Sequence, residues 1–232
     1  MNYTKTVLCL ANSRKYQGRC VAGKVYEAGV FGEWVRPVTT RAWEAIDPGD
    51  YAYGNGSYPE VMDVIDIPFV ERRPKSCQTE NHLMDTSRHW RKAGRLAWGD
   101  LEKGVDCVDS LWVNGYKSSL GQNDRIPEEC ADSMANSLLL VRSTDLSLLV
   151  STIPMPFGET KRQIRAQFHF NRIAYNIVVT DLYIEARCEN RKDGAYPVPE
   201  AYVCVSIGEP IEGNRYKLAA AIITPNRAGQ EK

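Results

Sequence analysis

Short apolar runs separated by glycine-bearing turns dominate the N-terminal part of the chain. Residues 4–11 and 18–26 are rich in apolar and β-branched side chains, and a third run of this kind lies at 32–39. Runs of this length bounded by glycine are typical of strands joined by tight turns. The pattern therefore predicts that the first two runs pair as a hairpin and that the third forms a further strand.

The middle of the chain has fewer β-branched residues and more helix formers. Asp85, Thr86 and Ser87 offer an N-cap for a helix over 87–94, which Gly94 would stop. We therefore expect a partly helical segment here, after an N-terminal β-rich part.

Short strand-like runs return from Leu138 onwards. Residues 162–172 alternate between apolar and polar side chains, which predicts a strand with Phe168 in the core and Arg165 exposed. The chain then divides into three parts: a β-rich domain, a partly helical connecting region and a second β-rich domain. Their predicted limits are 1–75, 76–137 and 138–226.

The composition of the 232 residues is that of an ordinary globular protein, with 43% hydrophobic and 25% charged residues. Lysine plus arginine equals aspartate plus glutamate at 29 each, which argues against a generally basic, nucleic-acid-coating surface but leaves room for a local basic groove. The sequence shows no signal-peptide pattern, no bilayer-spanning apolar run and no CxxC pair among its seven cysteines. We therefore expect a cytoplasmic protein with reduced thiols and no membrane partner.

Several motifs carry a resemblance to a known family. The string VLCLANSRKYQGRCVAGK at 7–24 is followed by GEWVRPV, DVIDIPFVERRP, ENHLMD and YKLAAAI. Together they resemble the bacterial dual OB domain-containing proteins over nearly the whole chain. The resemblance implies a mainly β fold with some α, in which a partly helical segment joins two small OB-like β-barrels. It supplies no catalytic residue, although OB barrels often bind single-stranded nucleic acid or oligosaccharide on one strand face.

The first hairpin carries the clearest candidate binding site. No acidic residue lies between Lys5 and Glu27, and the predicted pairing puts two cations at the turn and two on the returning strand, with an aromatic and a further cation on the next strand. Cations bind backbone phosphates and aromatic faces stack on bases, so this edge is a candidate nucleic-acid or nucleotide site. An ordinary solvated hairpin is the alternative. The candidates are Arg14, Lys15, Arg19, Lys24, Trp34 and Arg36.

A second basic segment lies between Glu159 and Asp181, with aromatic residues interleaved. Arg162, Arg165 and Arg172 are its candidate ligand-binding cations, and a plain exposed arginine face over core phenylalanines is the competing interpretation.

Other chemistry has weaker support in the sequence. Cys77, His82, His89 and Cys107 lack the tight ligand pairs of zinc sites, and no standard catalytic or phosphate-loop motif is present. Asp63 alternates with apolar residues and is expected to face solvent. We therefore predict no metal, no cofactor and no catalytic residue.

The favoured hypothesis is a non-enzymatic binding module for nucleic acid or a nucleotide. A protein–protein adaptor in a multi-component bacterial system is the alternative, and it predicts an exposed apolar patch around Trp34, Trp43 or Trp90. A small enzyme acting on nucleotides is a third hypothesis, which would require polar residues from both halves to converge in one cleft.

Overall fold

The chain forms two compact units in a computed structural model, which describes residues 2–16 and 18–229. The first unit comprises Met1–Val105, Ser133–Leu138 and Pro225–Lys232, and the second comprises Asp106–Asp132 and Leu139–Thr224. The units therefore interleave along the chain. The domain limits predicted from the sequence, in which each domain is one continuous segment, remain a prediction.

In the part of the chain that the structure describes, the first unit is built on six strands and three short helical segments. The strands are β1 (Tyr3–Lys15), β2 (Gly18–Glu27), β3 (Val30–Val38), β4 (Asp63–Arg72), β5 (Asn81–Met84) and β6 (Arg91–Arg95). The helical segments are α1 (Pro48–Tyr51) and the 3₁₀ turns Ala42–Glu44 and Trp98–Gly104.

Five of these strands close into a barrel in the order β1-β2-β3-β5-β4, because β4 pairs back with β1. Strands β3 and β5 run parallel, and the other neighbours are antiparallel. Strand β6 continues the sheet from β4. A five-stranded barrel of this kind is the one expected for an OB domain.

The predicted first hairpin is confirmed, with Arg14 opposite Arg19 and Lys15 opposite Gly18. Its strands approach closely at Gly23, where a β-carbon would lie 1.9 Å from the carbonyl oxygen of Leu8. Only glycine fits at this position without moving the backbone of β1.

The second unit has eight strands. They are β7 (Arg125–Pro127), β8 (Leu138–Ser143), β9 (Leu146–Pro154), β10 (Thr160–Phe170), β11 (Ile173–Val179), β12 (Gly194–Val198), β13 (Ala201–Ile207) and β14 (Asn214–Ile223). Its helical segments are α2 (Glu128–Ala131), α3 (Leu182–Cys188) and the 3₁₀ turn Pro156–Gly158.

The second sheet repeats the strand connectivity of the first barrel. Strands β9, β10 and β11 form an antiparallel meander, β14 lies parallel to β11, and β13 lies antiparallel to β14. They correspond in order to β1, β2, β3, β5 and β4, while β12 extends the sheet beyond β9 and β8 extends it beyond β13. The mainly β fold with two OB-like units that the resemblance implied is therefore confirmed.

The helix predicted over 87–94 is wrong. The Asp85 carboxylate accepts hydrogen bonds from the backbone N–H of Ser87 at 3.1 Å and from its hydroxyl at 2.6 Å, which makes a local turn rather than a helix cap. The chain then forms β6, whose pairing with β4 satisfies the backbone groups that a helix would have used. None of the helices in the described ranges is long and apolar enough to span a membrane.

Candidate ligand-binding surface

Two aromatic side chains stack on each other at the tip of the first hairpin. Tyr16 lies in the turn that follows Lys15. The rings of Tyr16 and Trp43 lie 4.6 Å apart between centroids at an angle of 25°. They are 51% and 57% exposed. Both residues have positive φ angles, 49° and 61°, which are uncommon for large side chains and cost about 1–3 kcal/mol each. The fold thus holds two aromatic rings in solvent at an energetic cost.

Three cations follow the aromatic pair along the ends of β1 and β2. Arg14 is exposed, whereas Lys15 and Arg19 are half-buried. The Arg19 backbone pairs with Ile46 in both directions, at 2.9 and 3.1 Å, and its Nε donates to the hydroxyl of Tyr51 at 3.3 Å. Arg19 is therefore fixed in position beside the tip, while its charge stays at the surface.

The aromatic surface continues past Arg19. Tyr51 is buried, and its ring lies 5.2 Å from that of Tyr58, which is 49% exposed. The acidic residues of α1 and its N-cap, Asp50 and Asp47, form ion pairs with Arg41. We call the exposed and half-exposed set the hairpin surface. It consists of Arg14, Lys15, Tyr16, Arg19, Trp43 and Tyr58.

Lys24 and Trp34 lie away from this surface, because both are buried. The Lys24 ammonium donates to the carbonyl oxygen of Gly104 at 2.8 Å and lies 5.1 Å from the Trp34 ring centroid. The 3₁₀ turn that ends at Gly104 covers this part of β2 and β3. These two residues therefore hold the turn against the barrel.

Arg36 is also internal, at 2% exposure. Its guanidinium lies 3.1 Å from the Glu80 carboxylate and donates to Ser137 Oγ at 2.9 Å. The Ser137 hydroxyl in turn donates to Glu80. Buried charges are stable only when paired and hydrogen-bonded, so this cluster ties β3 to residues 133–138 rather than offering a cation to a ligand.

The three arginines of the second basic segment occupy three different environments. Arg162 forms an ion pair with Asp193 at 2.6 Å. Arg172 is exposed in the β10–β11 turn. Arg165 is buried, with its Nη2 2.7 Å from Asp124. Because β10 separates Arg162 from Arg172 by roughly 26 Å, the three do not form one patch.

The exposure predicted for Arg165 is wrong, whereas Phe168 lies in the core as predicted. The loop that leads to Asp124 covers the polar face of β10 at Arg165, whereas Gln167 and His169 further along this face are exposed. Asn176 on the neighbouring strand donates to the carbonyl oxygen of Leu120 in that loop at 3.0 Å. Alternation along β10 correctly separated the two faces, but it could not show that a distant loop covers the polar face at Arg165.

The outward orientation predicted for Asp63 is wrong as well. Its side chain is 1% exposed and accepts hydrogen bonds from Tyr53 Oη at 3.0 Å and Arg95 at 2.8 Å, and it pairs with Lys92 at 2.7 Å. Burial raises the pKa of the carboxyl, but these donors and the Glu60 backbone N–H outweigh burial and lower the pKa overall. Asp63 therefore anchors β6 to β4.

Comparison with known proteins agrees with this architecture. The family described as dual OB-containing domain matches residues 5–222. The chain belongs to this family. No curated protein and no solved structure matches the chain. A ligand for the dual OB chain is therefore inferred from the residues of this chain alone.

Three tryptophans of the dual OB chain were predicted to form an exposed apolar patch for a protein partner, and they differ in exposure. Trp34 and Trp90 are buried, so of the three residues named for an adaptor patch, Trp43 alone is exposed. Sequence reasoning missed Trp43 and Tyr58 as partners of the basic hairpin. The available signal was their position in a loop rich in glycine, proline and polar residues, where a large aromatic side chain has few apolar neighbours.

Proposed function

We propose that the dual OB chain binds single-stranded nucleic acid through the hairpin surface of its first unit. The observation that carries the proposal is the exposed Tyr16–Trp43 stack beside Arg14, Lys15 and Arg19. In this proposal the protein works in the cytosol and needs no cofactor.

The residue types support a single strand over a duplex. Bases of a single strand can leave the stack and lie on an aromatic face, which contributes about 1–3 kcal/mol per base. Tyr16 and Trp43 offer such faces, and the cations of the hairpin are placed for the adjoining phosphates. The turn between the first two strands is also one of the places where OB barrels bind oligonucleotides.

The net charge of the chain is zero, so the attraction of a nucleic acid to the protein depends on local cations alone. The number of these cations therefore predicts how binding changes with salt concentration. Each phosphate contact on a single strand lowers the logarithm of the binding constant by about 0.7 per tenfold rise in salt. Three contacts, from Arg14, Lys15 and Arg19, therefore predict about 20-fold weaker binding when salt rises fourfold.

Fluorescence anisotropy with a labelled 15-nucleotide strand tests the proposal. Single-stranded and duplex DNA and RNA are titrated with the full chain at two salt concentrations. We expect the single strands to bind more tightly than the duplexes. Failure of all four to bind at low salt would overturn the proposal.

Variants locate the site. Tyr16→Ala with Trp43→Ala removes the stack and should weaken binding at least fivefold, since a stacked base contributes about 1 kcal/mol or more. Arg14→Gln with Arg19→Gln should lower the salt slope by about 1.4. The control is Lys103→Gln, which changes an exposed lysine paired with Asp100 elsewhere in the first unit.

Trp43 also supports the adaptor hypothesis, because a half-exposed tryptophan is a common anchor of protein interfaces. The two hypotheses differ in the ligand. An adaptor site centred on Trp43 predicts that none of the four oligonucleotides binds at low salt.

A further inference from the structure

The first hairpin of the second unit ends in a fully exposed phenylalanine. Phe157 lies in the turn between β9 and β10, with proline before it and glycine after it, and its φ is 65°. Met155 in the same turn is 40% exposed. A backbone hydrogen bond of 2.8 Å from the Met155 N–H to the Glu159 carbonyl closes the turn. The apolar side chain is therefore displayed on a closed turn, in a backbone conformation that is unfavourable for phenylalanine.

Three arginines lie on the strand that follows this turn and on α3 with the segment after it. Burial raises the pKa of the Cys188 thiol, and three nearby positive charges act in the opposite direction. They belong to Arg162, Arg187 and Arg191. The three arginines therefore belong to segments that meet beyond α3, because Arg162 on β10 is hydrogen-bonded to Asp193 in the segment that follows α3 and carries Arg191.

Two of these guanidinium groups are oriented by aromatic rings. Arg191 lies 4.5 Å from the ring centroid of Tyr196, and Arg187 lies 5.5 Å from that of Tyr183. A planar guanidinium held over an aromatic face keeps its N–H groups in a fixed plane, which suits phosphate oxygens. Asp193 accepts hydrogen bonds from Thr152 and Arg162, and so fixes the segment that follows α3 against β9 and β10.

The turn has a counterpart in the first unit. Strands β9 and β10 occupy the same places in their sheet as β1 and β2 do in the barrel. Each turn displays an aromatic side chain with positive φ, Tyr16 in one and Phe157 in the other, and a cation follows early in each returning strand, Arg19 and Arg162. The two units therefore present the same chemistry at the same topological position.

We propose that the Phe157 turn is a second nucleic-acid contact, in which Phe157 stacks on an unpaired base and Arg187 and Arg191 bind the neighbouring phosphates. This inference rests on the proposed function, because it takes the ligand to be single-stranded nucleic acid, as at the hairpin surface. It adds a binding site on the second unit.

The experiment uses the full chain and a 15-nucleotide single strand that contains 2-aminopurine, whose fluorescence reports on base stacking. Phe157→Ala should weaken binding at least fivefold, as expected for loss of one stacked base, and should remove part of the fluorescence change. Arg187→Gln with Arg191→Gln should lower the salt slope by about 1.4. Arg142→Gln, which changes an exposed arginine paired with Glu200 in the same unit, should match the unmodified protein.

The outcomes separate the two proposals. If the hairpin-surface variants weaken binding but Phe157→Ala and the Arg187/Arg191 double variant behave as the unmodified protein, the second contact is refuted and the proposed function stands. If the reverse holds, the first site is refuted and the second stands. Absence of binding by the unmodified protein overturns both. Thermal melts by circular dichroism verify that each variant is folded.

Discussion

Replacing Lys217 with methionine should remove a pH dependence of stability from the second unit. Lys217 lies on β14 and is 0% exposed. Its ammonium donates to the carbonyl oxygen of Val113 at 2.6 Å and to Oδ1 of Asn114 at 3.1 Å. Burial lowers its pKa to about 7, although the charge of Asp124 acts in the opposite direction. In the unfolded chain the lysine has its ordinary pKa near 10.5.

The sign of the effect follows from proton binding. Above about pH 7 the folded state releases the Lys217 proton and the unfolded state keeps it, so stability rises with pH. Each pH unit in this window corresponds to about 1.4 kcal/mol. Because the lysine is half-titrated at the start, the gain from pH 7 to pH 8.5 is about 1–2 kcal/mol.

Urea unfolding of the unmodified protein and of Lys217→Met, each at pH 7 and pH 8.5, measures this gain. The variant also leaves two buried acceptors without their donor, so we expect it to be less stable at both pH values. The contribution of the two lost hydrogen bonds does not depend on pH, so it cancels when the pH dependences of the two proteins are compared. Subtracting the stability change between the two pH values in the variant from that in the unmodified protein also cancels the contribution of the thiol groups. These include Cys9, whose pKa burial raises to about 12. An equal pH dependence in both proteins would refute the reasoning.

Two further predictions concern the first unit. Glu80→Ala leaves the buried Arg36 guanidinium without its carboxylate and should lower the free energy of unfolding by about 3–5 kcal/mol. Glu33→Ala removes the exposed ion pair with Lys5 and should change the free energy of unfolding by less than about 1 kcal/mol. Equal urea midpoints for the two variants would contradict this. Gly23→Ala should open the β1–β2 pairing at Leu8 and lower the melting temperature strongly, while Gly49→Ala, which meets no atom within 4 Å, should leave it within a few degrees. A Gly23→Ala protein that melts like the Gly49→Ala protein would show that the strands can separate without cost.

The confirmed first hairpin and the wrong helix over 87–94 show which local sequence patterns predict structure correctly. The hairpin was predictable because both strands and the turn lie within one short stretch, so pattern and pairing partner are read together. Strand β6 was not predictable, because its partner β4 is separated from it in the sequence. The polar residues that suggested a helix cap form a turn at Ser87 instead. Where pairing is distant, tertiary contacts override local preference.

The candidate site was predicted in part for the same reason. The sequence placed Arg14, Lys15 and Arg19 on one hairpin, which the structure bears out. It could not show that Arg36 and Arg165 are buried, because the carboxylates that stabilise them come from distant segments of the chain. A basic residue type indicates charge, whereas burial depends on partners that the local pattern does not contain.

This distinction also shows why the net charge of the chain does not describe its accessible surface. Several cations of the two units, Lys24, Arg36, Arg165 and Lys217, are internal and act as hydrogen-bond donors that hold loops against strands. They contribute to the total of 29 basic residues without contributing to an accessible surface. The charge that a ligand encounters is therefore determined by the exposed remainder. The first hairpin places part of that remainder, Arg14, next to an exposed aromatic ring. Net charge is therefore a poor guide to binding by this fold, and the salt slope measured with turn variants is a direct one.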